Sequence, residues 1–404
     1  MQIYGSDVLV VGAGPGGSMA GKTAAENDVD VIIIEEHEKP GVPVYCAEGL
    51  SIGGIRDSGL EPVSPYVTQE INTARVFAPN GEFFDLTSDN WKGYTLDREA
   101  FDSKLTANAV NAGARLITET RAVDVIKDAG KVTGVKALRD SEVVEFHAKV
   151  IIGADGHWSI TRRRAGLQRY FPDYVSCAQY QLGGLDLATP YINEFYIGTE
   201  YAPGGYTWVF PKSSSVANVG LGVRKRHTKP AIRYLKDFCA DDPRFRNAKI
   251  LKTNGGIYPV SGTIDQIVMD GLMLVGDAAG MLIPMTGAGI HSALESGKMA
   301  GRVAAEAIKI GDVSEKRLKK YRDEFDNYWG KRIRESGRIL EMMDKFEDED
   351  LNILAKVVTN EDILALANGE KATIALAGII KRSPKKLIKL IRSSSSLLRI
   401  SSTV

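Results

Sequence analysis

Cysteine is scarce in this chain. Only Cys46, Cys177 and Cys239 occur among 404 residues. An odd number, widely spaced and with no C-x-x-C pair, excludes a disulfide framework and a structural zinc site, and is too few for an iron–sulfur carrier. A reducing compartment is expected. The five histidines form no H-E-x-x-H pattern, so no metal site is expected. An excess of charge is missing too: Lys plus Arg equals Asp plus Glu at 51 each, which leaves no overall field to draw nucleic acid. No apolar run approaches the roughly 20 residues of a membrane-spanning helix. Asp7 interrupts the start, and no signal peptide is expected there. The reading is a cytoplasmic protein that does not cross a membrane. Its 44% hydrophobic and 25% charged residues are ordinary for a globular fold. The length allows two domains, or one large core with an appendage.

Glycine is where the pattern begins. "SDVLVVGAGPGGSMAGKTAAENDVDVIIIEE" reads as strand, tight turn, helix and strand. Gly12, Gly14 and Gly17 make G-x-G-x-x-G after the apolar run Asp7 to Val11, and Gly21 continues the small residues onto the helix. The turn needs unusual dihedrals, the backbone must approach a pyrophosphate, and the helix must pack close to the strand. The helix N-terminus offers unpaired N–H groups and a positive dipole end. Val29 to Ile34 form a second strand ending in Glu35, an acid placed to accept from ribose hydroxyls. This unit alone fits NAD or FAD.

Two later segments decide between them. "AKVIIGADGHWSITRRRAG" is a strand ending at Asp155-Gly156, followed by Ser159 and the basic Arg162 to Arg164. "DGLMLVGDAAGMLIPMTGAGIHSALESGKMAG" is a buried strand, then Gly276-Asp277, then a glycine-rich turn into a helix. In that helix Ile290, Ala293, Leu294, Gly297, Gly301 and Ala304 recur at helical spacing. In this order the three segments resemble the FAD-binding fold shared by aromatic flavin hydroxylases and geranylgeranyl reductases. The resemblance covers about 300 residues. It implies an α/β, Rossmann-type FAD-binding domain with a β-sheet substrate domain and a helical C-terminal region. It also implies a cofactor site made of Gly12, Ala13, Gly14, Pro15 and Gly17, with Glu35 and Glu36 at the adenosine ribose. Cys46, Ala47, Arg98, Ala122, Val123, Asp155 and Gly156 would join it. Gly276, Asp277 at the ribityl chain, Gly287, Ala288, Gly289 and Ile290 would complete it. The turn Thr286 to Gly289 would aim N–H groups at the anion of reduced flavin.

Residues 1–167 are expected to begin the flavin fold, interrupted by a hairpin near 72–92 whose Asn80-Gly81 suits a type I′ turn. Ala122 to Gly153 reads as a three-strand meander. Residues 168–258 read as a second sheet, 259–310 as a return to the cofactor fold, and 311–404 as a charged helical region.

"PGGYTWVFPK" puts Tyr206, Trp208 and Phe210 on one face of a strand, which core packing alone would explain. Geranylgeranyl reductases carry the same P-x-x-Y-x-W-x-F-P, and there Tyr206, Trp208, Phe210 and Pro211 would line a cavity for an isoprenoid chain. Ser213 departs from a glycine common in that family. "YCAEG", with Cys46 in the loop after the second strand, is likewise similar to that family's cysteine context. Cys177 and Cys239 read as small buried residues. Saturating an isolated alkene needs hydride on one carbon and a proton on the next. A thiol with pKa near about 8.5 stays protonated at neutral pH, so Cys46, or a water held with Glu48, is expected to deliver that proton. The Trp208 face would stabilise cationic character on the chain.

After Glu370 there is no acidic residue. Leu387, Ile388 and Ile391 share a face ringed by Lys385, Lys386, Lys389 and Arg392, which suits either an anionic membrane surface or packing on the body. Within the family the resemblance is to archaeal enzymes that saturate geranylgeranyl chains of membrane ether lipids. Reduction of geranylgeranyl diphosphate or of a geranylgeranylated pigment is the near alternative. An aromatic monooxygenase or an electron-transfer flavoprotein is the alternative of another class. The electron donor stays open among ferredoxin, a deazaflavin and NAD(P)H.

Overall fold

Val8, Leu9 and Val10 are completely buried, and so are Ile33 and Val31. A strand that is apolar on both faces belongs in a parallel sheet covered on both sides. In the computed structural model, which describes residues 2–87, 92–385, 388 and 391, that is where they lie. The strand Ile3–Val11 pairs in parallel with Val31–Ile34 on one side and Glu142–Gly153 on the other. Arg115–Ile117 extends the sheet beyond Val31–Ile34, and Leu272–Leu274 extends it beyond Glu142–Gly153. The return segment thus rejoins the first sheet. Thr120–Asp128 and Lys131–Arg139 lead into Glu142–Gly153 as an antiparallel meander.

Two helices crossing at contact distance cover the nucleotide end of this sheet. A Cβ on Gly297 would stand 2.0 Å from the Gly16 carbonyl oxygen, and one on Gly301 2.3 Å from that of Ala20. One turn of Ile290–Ile310 therefore fits one turn of Pro15–Ala25, backbone against backbone. Arg162, 2% exposed, donates to the carbonyls of Ala278 (2.8 Å) and His157 (3.0 Å) and so ties the basic cluster to the Gly276 turn.

The second sheet has seven strands, in the order Lys249–Pro259, Tyr174–Gly183, Val216–Arg224, Tyr206–Pro211, Ile192–Tyr196, Thr73–Phe77 and Phe83–Thr87. The last two are the hairpin expected within the flavin part. It joins the second sheet instead, with Thr73–Phe77 parallel to Ile192–Tyr196. Its turn is also not type I′. Only Gly81 has a positive φ (+83°), and the Gly81 N–H donates to the Ala78 carbonyl. Pro79 pre-sets the second position of an ordinary turn, and glycine closes it.

Beyond Gly311 the described residues are mostly helical: Glu315–Phe325, Lys331–Met343, Asp348–Val357, Asn360–Asn368 and Ala372–Arg382. Ile339, Met342, Leu366, Leu376 and Ile379 form their common core, and Ile391 is buried with them at 2% exposure. That residue of the expected membrane face is therefore taken up by packing. Lys386, Leu387, Lys389 and Arg392 lie outside the described residues. Among the described residues no helix is long and apolar enough to cross a membrane.

Candidate active site

A cavity of about 940 Å³ runs from the glycine turn to the C-terminal helices. At one end Gly14, Pro15 and Gly16 open onto it, and the helix Pro15–Ala25 starts at Gly14 without a side-chain cap. A Cβ on Gly14 or Gly156 would meet nothing within 4 Å, so both leave room for a ligand. Gly12 lies at φ +101°, and its Cβ would clash at 2.5 Å with the Ala154 oxygen. Uncapped N–H groups beside an open glycine backbone are what a pyrophosphate requires.

Glu35 ends its strand 8% exposed. Its Oε2 accepts from the Ala13 N–H (2.8 Å), and its Oε1 lies 2.7 Å from His37 Nδ1. Thr120 N donates to the Glu35 carbonyl, which brings Ala122 and Val123 to the same end. None of Glu35, Glu36, Ala122 and Val123 lines the cavity itself. The Asp155 carboxylate is engaged within its own loop. It accepts from Ser159 Oγ (2.6 Å), Thr161 N (2.9 Å) and Thr161 Oγ1 (2.7 Å), and so starts the short helix Ile160–Arg164.

Arg98, Asp277 and the turn Gly287 to Ile290 also line the cavity. Arg98 makes a two-pronged pair with Asp102 (2.8 and 2.7 Å). Burial opposes the guanidinium charge, but Asp102 and Cys46 together outweigh it and lift the pKa above the ordinary arginine value. Burial pushes the Asp277 carboxyl up to about 6, with Arg98 pulling the other way. Folding therefore binds a proton here, and the stability it brings is lost as pH rises from the ordinary 3.8 through 6. Asp277→Asn should stabilise the flavin-free protein by up to about 3 kcal/mol above that window, with no gain below about pH 4. Thermal denaturation of wild type and variant at both pH extremes checks this; equal melting temperatures at neutral pH would contradict it.

Cys46 is held by the second sheet. The segment Val44 to Glu48 lies across consecutive strands, and an amide from each grips it. Asn254 Nδ2 donates to the Val44 carbonyl (2.9 Å), Gln179 Nε2 to that of Cys46 (3.0 Å) and Asn218 Nδ2 to that of Ala47 (3.2 Å). Gln179 also accepts from Trp208 Nε1 at 2.8 Å, so one side chain fixes the loop and the indole together. A Cβ on Gly220 would lie 2.5 Å from that indole, so the glycine lets the ring lie against the sheet. Tyr206, Trp208 and Phe210 follow one another at 5.9 and 6.4 Å between ring centroids, with Phe195 against the two outer rings. All four line the cavity, whereas Pro211 is buried outside it. Tyr206 Oη donates to the Thr286 carbonyl at 2.5 Å and so ties the aromatic strand to the turn beside Asp277.

Sequence reasoning missed three features. Cys177, expected to be inert, lines the cavity in register with Gly222 and Gly256. Tyr258 lines it as well, its ring 2.9 Å from where a Cβ on Gly287 would stand. Glu48 is not free to hold a water with Cys46. Its oxygens already accept from Arg98 N (2.9 Å), Lys212 Nζ (2.6 Å) and Asn218 Nδ2 (2.6 Å). The usable signal was polar: Gln179 and Asn218 are amides buried on their strands, where an unsatisfied amide would be costly. Cys239 packs against the Phe238 cluster, and burial pushes its thiol up to about 12.

The sequence model of the FAD binding domain matches residues 5–189, and that of the geranylgeranyl reductase catalytic domain matches 173–258. A digeranylgeranylglycerophospholipid reductase 2 of Methanopyrus kandleri is 38% identical over 389 residues, covering 94% of this chain and 97% of that one. The chain belongs to the geranylgeranyl reductase family. A digeranylgeranylglycerophospholipid reductase of Methanocella arvoryzae is 39% identical over 394 residues, covering 95% and 98%. Among solved structures, a geranylgeranyl bacteriochlorophyll reductase-like protein of Thermoplasma acidophilum superposes with a TM-score of 0.87 at 33% identity, over 98% of this chain and 100% of that one. A flavin-dependent brominase shares the fold at a TM-score of 0.73 and 19% identity, over 94% and 99%. This member of the reductase family is an FAD-dependent oxidoreductase, and the open glycine cradle fits its cofactor.

Proposed function

We propose that this chain saturates carbon–carbon double bonds in the geranylgeranyl chains of archaeal-type membrane ether lipids. The observation that carries this reading is the continuity of the cavity. It joins the nucleotide turn to a long apolar interior with Cys46 at the junction. Leu351 and Leu354 of Asp348–Val357, Val358 just after it and Ile363 of Asn360–Asn368 line it from the C-terminal region. Such apolar walls suit an isoprenoid chain. The names of the Methanopyrus and Methanocella relatives support the lipid as substrate.

FAD, when bound and reduced, supplies a hydride. The protein supplies orientation and a proton. Burial raises the Cys46 thiol pKa, with Arg98 the main opposing influence, so the sulfur keeps its proton at neutral pH and can give it to an alkene carbon. The indole of Trp208, fixed by Gln179, offers its π face to cationic character on the chain. With a bilayer lipid as substrate and no spanning helix among the described residues, the proposal places the enzyme at a membrane surface. The name of the Thermoplasma protein favours a second reading, a geranylgeranylated pigment.

Reoxidation of dithionite-reduced holoprotein without oxygen tests these together. Geranylgeranyl ether lipid should return the yellow spectrum faster than a geranylgeranylated pigment, geranylgeranyl diphosphate or a quinone. A lipid that leaves the flavin reduced while quinone reoxidises it would overturn the proposal in favour of an electron carrier.

A further inference from the structure

Glu48 is a glutamate in a left-handed conformation, φ +72°, at 4% exposure. A residue with a Cβ rarely adopts that backbone unless its surroundings hold it there. Here three donors do: the Arg98 N–H, Lys212 Nζ and Asn218 Nδ2 occupy both carboxylate oxygens. Lys212 is nearly buried itself, its side chain 10% exposed, so the pair is a built feature and not a surface contact. The result of this clamp is direction. In this conformation the Glu48 N–H donates to Cys46 Sγ at 3.2 Å, while the Leu96 N–H holds the Glu48 carbonyl at 2.8 Å.

We propose that Glu48 is the positioning residue for Cys46: its clamped N–H holds the sulfur and receives the charge left when the thiol gives up its proton. This rests on the reading of Cys46 as proton donor. In the step, the S–H bond breaks and the proton forms a C–H bond at one alkene carbon. The electron pair stays on sulfur as thiolate, and the neighbouring carbon would take the hydride that FAD supplies when bound and reduced. A proton from water then restores the thiol. An N–H aimed at the sulfur lowers the cost of the thiolate in a site where burial raises it. The other groups facing Cys46 are Arg98 on the helix Arg98–Asn111, the Glu48 carboxylate, Cys177 on Tyr174–Gly183 and Tyr206 on Tyr206–Pro211. Lys212 stands behind Glu48.

Two variants separate positioning from simple charge. Glu48→Gln removes an anion and Lys212→Met removes a cation, so through-space charge alone would move the Cys46 thiol in opposite directions. Loss of the clamp moves it the same way in both. The readout is the rate of Cys46 alkylation by iodoacetamide against pH in the FAD-loaded protein, located by peptide mass spectrometry. Both variants should shift the midpoint upward by about one pH unit, a tenfold lower thiolate fraction, with FAD absorbance retained. Should Lys212→Met fail to fold, Lys212→Gln, which removes the same cation and keeps a polar side chain, takes its place and should show the same upward shift. Opposite shifts, or no shift in either variant, would overturn the positioning role. Unchanged turnover in Cys46→Ser would instead overturn the donor reading beneath it, whatever the alkylation shows.

Discussion

Replacing Cys46 with serine lowers turnover by about a hundredfold or more, the usual weight of a positioned proton donor, while the protein keeps its flavin. The expectation rests on the way the site is assembled. Backbone carbonyls of Val44, Cys46 and Ala47 carry the grip of Asn254, Gln179 and Asn218, so the loop does not depend on the sulfur. The Glu48 N–H can bond a serine oxygen as it bonds Sγ. What changes is acidity: an alcohol releases a proton far less readily than a thiol. Steady-state turnover and the ratio of flavin to protein absorbance, measured together, check this. A variant that turns over like wild type would assign the proton to another group in the cavity, and loss of flavin would give Cys46 a binding role.

Gly297→Ala removes the holoprotein. A Cβ there would stand 2.0 Å from the Gly16 oxygen and 2.9 Å from the Gly16 carbonyl carbon, all backbone, so no flexible side chain can yield. The helix Ile290–Ile310 must then retreat from Pro15–Ala25, and both the glycine cradle and the turn Gly287 to Gly289 move with them. Overpacking of a rigid contact costs about 3 kcal/mol or more, and here the cofactor site shares the displacement. Purified variant should be colourless and melt at lower temperature. Gly311→Ala makes the control, since its Cβ meets nothing within 4 Å and its cost is confined to a strained helix end at φ +79°. Yellow Gly297→Ala protein with wild-type stability would refute the crossing.

Local pattern made the cofactor fold legible. Strand, glycine turn, helix and acid follow one another within Ile3 to Glu35, and the small-residue spacing of Gly297 and Gly301 is the crossing itself. The aromatic stripe was legible for the same reason, since alternation along one strand decides which face Tyr206, Trp208 and Phe210 share. What stayed hidden depends on pairing between distant segments. Nothing near Thr73–Phe77 announces that it will lie beside Ile192–Tyr196. Cys177 looks like any small buried residue until strand register sets it between Gly222 and Gly256 on the cavity side. Glu48 reads as a free carboxylate until Lys212 and Asn218 arrive from another sheet. The C-terminal helices were expected as helices, but periodicity does not distinguish a face that meets a core from one that lines a cavity.

The measurement that bears most directly on the central claim is made without oxygen. Holoprotein reduced with dithionite is given geranylgeranyl ether lipid, and the products are weighed by mass spectrometry. The lipid should gain hydrogen in pairs, one pair per double bond reached, and Cys46→Ser should lag far behind. An unchanged lipid, with oxygen and an aromatic acid instead yielding a product heavier by one oxygen atom, would contradict the reductase and leave the loop around Cys46 as packing.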